Sequence, residues 1–299
     1  MSTVDLLILG NVNVDLILGP LDEWPQEGTE RLVEQMAWRV GGNAGNAALA
    51  CAALNTDFLT VSPVGDDLPG RWIKEQLPPD MTHWLPSGDP TSVSVAVTHS
   101  SGERSFITHL GHLKALRWAD LHPHLLHCRA VLLAGAFLTP ALRAEYPEVL
   151  RHFQAAGSQV AVDFGWPDGG FTPEVQAEVR GWLPLVHHLL INELEAQHLS
   201  RQASTAEALR TLAAQLHPQG TVVIKCGSAG VMAQYQGKQY AQSAPTVTVL
   251  DSVGAGDTWN AAYLHALLNG REIENALAYA VNVASTAIST QPRVFPPLE

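Results

Sequence analysis

The feature that most constrains this chain is a series of short apolar runs that show no alternation. "DLLILG" (5–10), "DFLTVSPVG" (57–65), "AVLLAGAF" (130–137), "QVAVDFG" (159–165), "HHLLIN" (187–192) and "TVVIKCG" (221–227) carry Val, Leu and Ile at successive positions and end near turn residues. A strand that is apolar on both sides needs cover on both sides, which belongs to a parallel sheet layered between helices. The segments between supply those helices. "GNAALACAALN" (45–55) is Ala-rich, and "PALRAEYPEVLRHFQAAG" (140–157) and "STAEALRTLAAQLHPQG" (204–220) have a 3.6-residue period and a closing Gly. The fold class that follows is α/β, with a central, mostly parallel sheet flanked by helices.

Two stretches break this rhythm. "TSVSVAVTHSSGERSFITHLG" (91–111) alternates, with Val93, Val95 and Val97 on one face and a Ser-Ser-Gly turn before a second strand. This is an antiparallel hairpin with one solvated face. "GTERLVEQMAWRVGG" (28–42) also reads as extended chain. Together they predict a small β lid standing off the main sheet, built from about residues 12–40 and 91–111. No repeat, low-complexity segment or linker divides the chain, so residues 1–299 read as one domain with a discontinuous lid.

The 46% hydrophobic and 15% charged content describes a soluble chain with ample core. No apolar run approaches the roughly 20 residues of a membrane span. The N-terminus lacks a basic n-region and turns polar at Asn11. Three widely spaced cysteines without a C-x-x-C pattern suit a reduced, cytoplasmic protein. A formal charge of −12 with no basic cluster argues against a nucleic-acid partner. It also means that backbone N–H groups and a metal ion must supply much of the positive field for any phosphorylated ligand. The histidines of "LHPHLLHC" (121–128) read as surface residues and not as a metal site, because Pro123 interrupts them. The eight tryptophans read as core and edge packing.

"VLDSVGAGDTWNAAYLHALLNG" (249–270) is the stretch with chemistry in it. Gly254, Ala255 and Gly256 stand where a helix begins, although each Gly costs a helix about 1 kcal/mol relative to Ala. Small residues there let backbone N–H groups approach an anion, and the helix dipole favours one. Asp257 follows directly. A carboxylate beside a phosphate cradle repels the phosphate unless it serves another group, and a hydroxyl proton is the obvious one. Read alone, Asp257 is equally a helix-start acid. No G-x-x-x-x-G-K-[ST] occurs, which excludes a P-loop, and "GAGDTW" lacks the third Gly of a dinucleotide fingerprint.

"DSVGAGD" (251–257) resembles the C-terminal D-T-x-G-A-G-D signature of the ribokinase-like (PfkB-type) carbohydrate and nucleoside kinases. "VGGNAGNAALACAALN" (40–55), "GNVNVD" (10–15), "NELE" (192–195) and "IKCGSAG" (224–230) are similar to four more of that family's elements, in family order and across nearly the whole chain. The resemblance implies a ribokinase-like fold and ATP-dependent phosphoryl transfer to a hydroxymethyl group of a sugar or sugar-like alcohol. It implies Asp257 as general base and Gly254, Ala255 and Gly256 as anion hole. Asn13, Asp15, Gly42, Asn43 and Asn46 match sugar-site positions, and short amides and carboxylates suit hydroxyls that both donate and accept. Lys225, Gly227, Gly230 and Asn282 match the nucleotide side. Asn192 and Glu195 match the element associated with Mg²⁺, although Asn followed three residues later by Glu is also a capping box.

The chain departs from the family pattern in places. Ser252 replaces a Thr, and "GHLKAL" (111–116) stands where many members carry Gly-Ala-Asn. "AGAFLT" (134–139) is closer to nucleoside kinases than to ribokinases, which makes a nucleoside the alternative acceptor. A sugar or nucleotide sensor that kept the fold without catalysis is the alternative outside the enzymes. Arg104, with His109 on the same lid strand, is either a contact for an anionic group on the substrate or a turn decoration. "STAISTQPRVFPPLE" (285–299) lacks the usual Gly-Ala after the last helix, so K⁺ activation, which the resemblance implies, stays open. Exposed lid edges favour pairing with a second copy, a homodimer through the lid.

Overall fold

The apolar runs become strands that pair in the way their two-sided hydrophobicity requires. A computed structural model describes residues 3–100 and 104–298, without the side chain of Arg104. Its strands are β1 (Thr3–Gly10), β2 (Asn13–Leu21), β3 (Gln35–Gly41), β4 (Phe58–Gly65), β5 (Thr82–Ser87), β6 (Val93–His99) and β7 (Arg104–His109), followed by β8 (His127–Ala134), β9 (Gln159–Asp163), β10 (His188–Asn192), β11 (Thr221–Lys225), β12 (Val231–Tyr235) and β13 (Lys238–Gln242). The main sheet runs β13-β12-β11-β10-β9-β8-β1-β4-β5, parallel from β11 through β5, with β12 and β13 antiparallel at one edge.

Alternate residues of the same strands enter different cores. Leu7, Leu9, Val131, Leu133, Val160, Val162, Leu189 and Ile191 pack on one face of the sheet. Leu6, Ile8, Ala130, Leu132, Ala161 and Leu190 pack on the other. The first face is covered by Val149, Leu150, Val179, Leu199 and Leu212 from the helices Tyr146–Ala155, Pro173–Trp182, Glu193–Ser200 and Thr205–Ala213. The second is covered by the helices Asn43–Ala53, Ala255–Leu268 and Ile273–Ser289. Full burial of a Val or Leu side chain stabilises by roughly 1.5–3 kcal/mol, so a polar substitution on either face of these strands is costly.

The chain leaves β1 toward β4 and β5 on one side and returns to β8 on the other, so the strand order reverses between β1 and β8. Open α/β sheets bind ligands at such a reversal, beyond the carboxyl ends of the strands. Here those ends are Gly10 and Ala134, and the residues just beyond them are Asn11 and Gly135.

A second sheet, β3-β2-β6-β7, forms the lid. Only Gln35–Gly41 of the expected 28–42 run is strand. Pairing with β2 ends at Gly19↔Gln35, where Pro20 has no N–H to extend the ladder. The alternation in β6 is also reversed from what its valines suggest. Ser94 and Ala96 are buried while Val93 and Val95 are half-buried, and only Val97 of the valine face is buried; Ser94 lines a cleft. The helical stretch 140–157 breaks at Glu145 into Pro140–Ala144 and Tyr146–Ala155, with Pro147 in the first turn of the second helix. No helix among the described residues is long and apolar enough to cross a membrane.

Gly10 closes β1 with φ +147°, and a Cβ there would lie 1.8 Å from the Ala134 carbonyl oxygen. Gly10→Ala is therefore expected to destabilise the fold by more than about 3 kcal/mol, read as a fall in urea midpoint at unchanged m-value.

Candidate active site

The helix Ala255–Leu268 starts from Gly254, which has φ +71° and whose Cβ would lie 2.8 Å from Asn46 Cγ. Only glycine meets both conditions at once. Ala255, Gly256 and Asp257 fill the first turn, where N–H groups have no intrahelical acceptor. Asp257 is 7% exposed. Asn43 Nδ2 donates to its Oδ1 and Asn46 Nδ2 to its Oδ2, each at 3.0 Å. The two amides lie three residues apart on the helix Asn43–Ala53 and so share a face. That helix starts from Gly42, at φ +79°, where a Cβ would lie 2.2 Å from the Asn11 carbonyl oxygen.

Burial pushes the Asp257 carboxyl up to about 7, and the nearby Asp163 carboxylate pushes in the same direction. Lys225 and the two asparagine donors oppose them. Asp257 is thus a carboxylate whose charge is poised near neutral pH, as a general base needs to be.

Asp257 lines a cleft of about 670 Å³ under the lid, together with Asn11, Asn13, Asp15, Asn43 and Asn46. Asn13 Nδ2 donates to Asp15 Oδ1 at 2.7 Å and to Ser94 Oγ at 3.4 Å. Burial raises the Asp15 carboxyl to about 6 against the Asn13 hydrogen bond and the Arg39 charge. Two buried atoms at the cleft, Asn11 Nδ2 and Asn13 Oδ1, have no hydrogen-bond partner among the described residues. Orphans of this kind are rare in folded proteins and cost free energy until a ligand or water meets them. The far wall is aromatic, formed by Phe106 of the lid with Phe137, Phe164 and Trp166.

A second, more apolar cleft of about 410 Å³ is lined by Lys225, Gly227, Gly230, Val281, Ala255 and Gly256 among others. The two clefts meet at the 252–257 turn, since Ser252 lines both. Lys225 Nζ donates to Asp163 Oδ2 at 2.9 Å and to Asn260 Oδ1 at 3.0 Å, and Asn260 Nδ2 donates to the same Asp163 oxygen at 2.6 Å. A Cβ on Gly256 would stand 3.4 Å from Lys225 Nζ, so the ammonium lies beside the helix start. Asn282 is exposed and does not line this cleft. Val281, Ala284, Ser285 and Ile288 do, and residue 282 lies about 100° round the helix from that stripe.

Asn192 and Glu195 form the capping box that their spacing allows. The Glu195 N–H donates to Asn192 Oδ1 at 2.8 Å, and the Asn192 N–H to Glu195 Oε2 at 2.9 Å. Burial raises the Glu195 carboxyl, with Asp163 and then Asp257 adding to the rise and the Asn192 N–H and Lys225 opposing it. No group of three His, Cys, Asp or Glu among the described residues is placed to hold a metal directly. A buried acidic side chain with one oxygen committed to the backbone fits Mg²⁺ held through its waters, the mode this ion prefers. His122, His124 and His127 are exposed, in keeping with a surface role. The Arg104 side chain lies outside the described residues, and His109 is exposed and does not line the cleft, whereas Phe106 and Thr108 of the same strand do.

Several site residues have no counterpart in the sequence reading. Asn11 and Asp163 follow or end strands β1 and β9, and the strand-end rule alone could have flagged them. Asn260 lies one turn beyond Gly256. Ser94, Thr108 and the aromatic wall carry no local signal, and Trp166 lines the cleft while its ring packs edge-on against Phe171 and His198.

Comparison with known proteins places the chain in context. The model of the pfkB family carbohydrate kinases matches residues 4–294. The ribokinase of Arabidopsis thaliana is 27% identical over 302 residues, covering 96% of this chain and 76% of its own. The ketohexokinase of Mus musculus is 23% identical over 307 residues, covering 97% and 98%. The solved structure of Arabidopsis thaliana ribokinase complexed with ribose and ATP shares the fold at TM-score 0.79 and 24% identity, covering 99% of this chain and 96% of that one. The adenosine kinase from Sinorhizobium meliloti does so at TM-score 0.81 and 21% identity, covering 97% and 95%.

Lys225 is 13% exposed and Asp163 6% at their side chains. Lys225→Met leaves the Asp163 carboxylate buried without its cation and is expected to cost about 3–5 kcal/mol in urea unfolding at neutral pH. Adding Asp163→Asn should recover much of that loss.

Proposed function

The chain belongs to the pfkB family of carbohydrate kinases, which use ATP, and we propose that it phosphorylates a hydroxymethyl group of a sugar or sugar-like alcohol. One observation carries the reading: two clefts abut across the 252–257 turn, with Asp257 lining one and Ala255 and Gly256 lining the other. An acceptor in the first and a nucleotide in the second bring a hydroxyl and a γ-phosphate to opposite sides of one helix start.

In this mechanism Asp257 takes the hydroxyl proton as the oxygen attacks the γ-phosphorus of ATP and the bond to the β,γ-bridging oxygen breaks, so that ADP leaves. Asn43 and Asn46 fix the direction of the carboxylate, so little reorientation is needed. The first-turn N–H groups after Gly254 receive charge that develops on the transferred phosphoryl group. Lys225, Gly227 and Gly230 serve the donor side. Mg²⁺ bound with the donor and held through water by Asn192 and Glu195 would offset phosphate charge. Asn11, Asn13 and Asp15 meet the acceptor's other hydroxyls. The lid excludes water, which competes as phosphoryl acceptor.

The described lining bears on acceptor charge. Among the described side chains of the acceptor cleft there is no Lys, Arg or His, and Asp15, Glu195 and Asp257 are acidic. The side chain of Arg104, the candidate contact for an anionic group on the substrate, lies outside the described residues, so acids stay within the acceptor panel. The aromatic wall favours a second reading, a nucleoside whose base stacks on Phe137, Phe164 or Trp166. The sensor reading is disfavoured by Asp257 itself, because a buried carboxylate with a raised pKa is a burden that a protein without catalysis does not need. Exposed Met36 and Ile107 on edge strands β3 and β7 support a lid-mediated homodimer in a cytoplasmic enzyme.

The test is ADP release from Mg-ATP across ketoses, aldoses, keto-deoxy acids and nucleosides. One acceptor class should respond, and Asp257→Ala should lose about 10²–10⁴-fold in kcat on it. Wild-type turnover in that variant would sink the mechanism. The ionised base is the active form, so kcat/KM should fall as pH drops through about 7. Asn46→Ala removes a hydrogen bond that lowers the Asp257 pKa, so its acidic limb should move to higher pH.

A further inference from the structure

The segment leading into the anion hole is held by a cation that belongs to the chain. Residues 249–253 form neither helix nor strand, and the N–H groups of Leu250 and Asp251 both donate to the Ile288 carbonyl, at 2.8 and 3.1 Å. Arg293 Nη2 lies 2.6 Å from the Val253 carbonyl oxygen, 2.7 Å from Asp251 Oδ2 and 3.4 Å from the Asp251 carbonyl oxygen. Val253 directly precedes Gly254, so these carbonyls set the direction in which the anion hole begins. Arg39 of lid strand β3 also pairs with Asp251 Oδ2.

A carboxylate and two backbone carbonyls converging on one point are ligands that a hard metal cation would take. The family resemblance implies K⁺ activation, and an ion serving this turn would need these same oxygens. The guanidinium already stands among them. Arg293 comes from the C-terminal stretch that lacks the expected Gly-Ala after the last helix, and its position is anchored by the neighbouring Val294 N–H, which donates to Thr290 Oγ1 at 2.9 Å. Burial pulls the Asp251 carboxyl up, yet the Arg39 hydrogen bond, the Val253 N–H and the Arg293 charge together hold it below the usual carboxylate range.

We propose that Arg293 is a built-in cation, a positioning residue that holds the 251–253 turn and thereby the Gly254–Gly256 anion hole, so that no added monovalent ion is required. The role in turnover rests on the kinase reading above; the occupation of the oxygen set by Arg293 does not. Arg293 also lines a cavity of about 350 Å³ with Arg39, Asn46, Asp251 and Val253, so truncating it opens a space that a small cation can enter.

The first arm needs no substrate. Thermal melting of the wild type in KCl, NaCl and tetramethylammonium chloride at matched ionic strength should show no ion-specific shift. Arg293→Ala should melt lower and be raised selectively by K⁺ or by guanidinium kept well below denaturing concentration. The second arm uses the responding acceptor. Wild-type kcat should be the same in K⁺ and tetramethylammonium, while Arg293→Ala should lose about 10–100-fold in kcat with little change in KM for the acceptor. Guanidinium should restore part of that loss, and Arg293→Lys should retain part of it. A K⁺-specific rise in wild-type melting temperature or kcat, or wild-type kcat in Arg293→Ala, would overturn the proposal. If Arg293→Ala does not fold, the wild-type ion series decides alone. If no acceptor in the panel responds, the kinase reading fails, and the melting arm still decides the occupation of the oxygen set.

Discussion

The two amide donors that grip Asp257 are the contact on which the rest of the site depends. Asn43 and Asn46 come from the helix that follows β3, and Asp257 comes from a helix more than two hundred positions later. For both donors to reach both oxygens, the two helices must start side by side above the carboxyl ends of the strands. That requirement explains the glycines. Gly42 lets the first helix begin against the Asn11 carbonyl, and Gly254 lets the second begin against Asn46. A side chain at either position would push the donors and the carboxylate apart.

Electrostatics set the second constraint. The Asp163 carboxylate adds to the rise that burial imposes on both Glu195 and Asp257, with Lys225 as the cation that opposes it. In a chain of net charge −12 this leaves the site short of positive charge. Helix-start N–H groups and a hydrated divalent ion are the natural complements, and both suit a phosphate-bearing donor. The same economy appears one turn upstream, where Asp251 is matched by two arginines and the backbone carbonyls around it are turned toward one of them.

Much of this was legible in the residues. Unalternated apolar runs gave the parallel sheet, because burial on both faces leaves no room for a polar period. The Gly-Ala-Gly-Asp run gave the helix start, because glycine there is unfavourable without a purpose. The Asn192–Glu195 pair was readable as a capping box and is one. Other features had no local signature. The valines of β6 suggested a buried face, whereas Val93 and Val95 are half-buried, Val97 is buried and Ser94 lines the cleft. Asn282 sits in the right helix but on the wrong side of it, since a shift of one residue turns a side chain by about 100°. Arg293 looked like part of a C-terminal departure from the family pattern, and its meaning depends on a turn forty residues earlier in the chain.

The sequence by itself determined the layering of the fold, the chemistry of the helix start and the absence of other phosphate motifs, because each depends on residues that are neighbours along the chain. Tertiary structure alone decided which groups meet. It placed Asn43 and Asn46 on Asp257, Lys225 between Asp163 and Asn260, aromatic rings along the cleft of Asp257 and Arg293 against the 251–253 turn. The physical reason is that strand order, which brings distant loops to one end of the sheet, is set by packing the whole chain and leaves no mark at any single position.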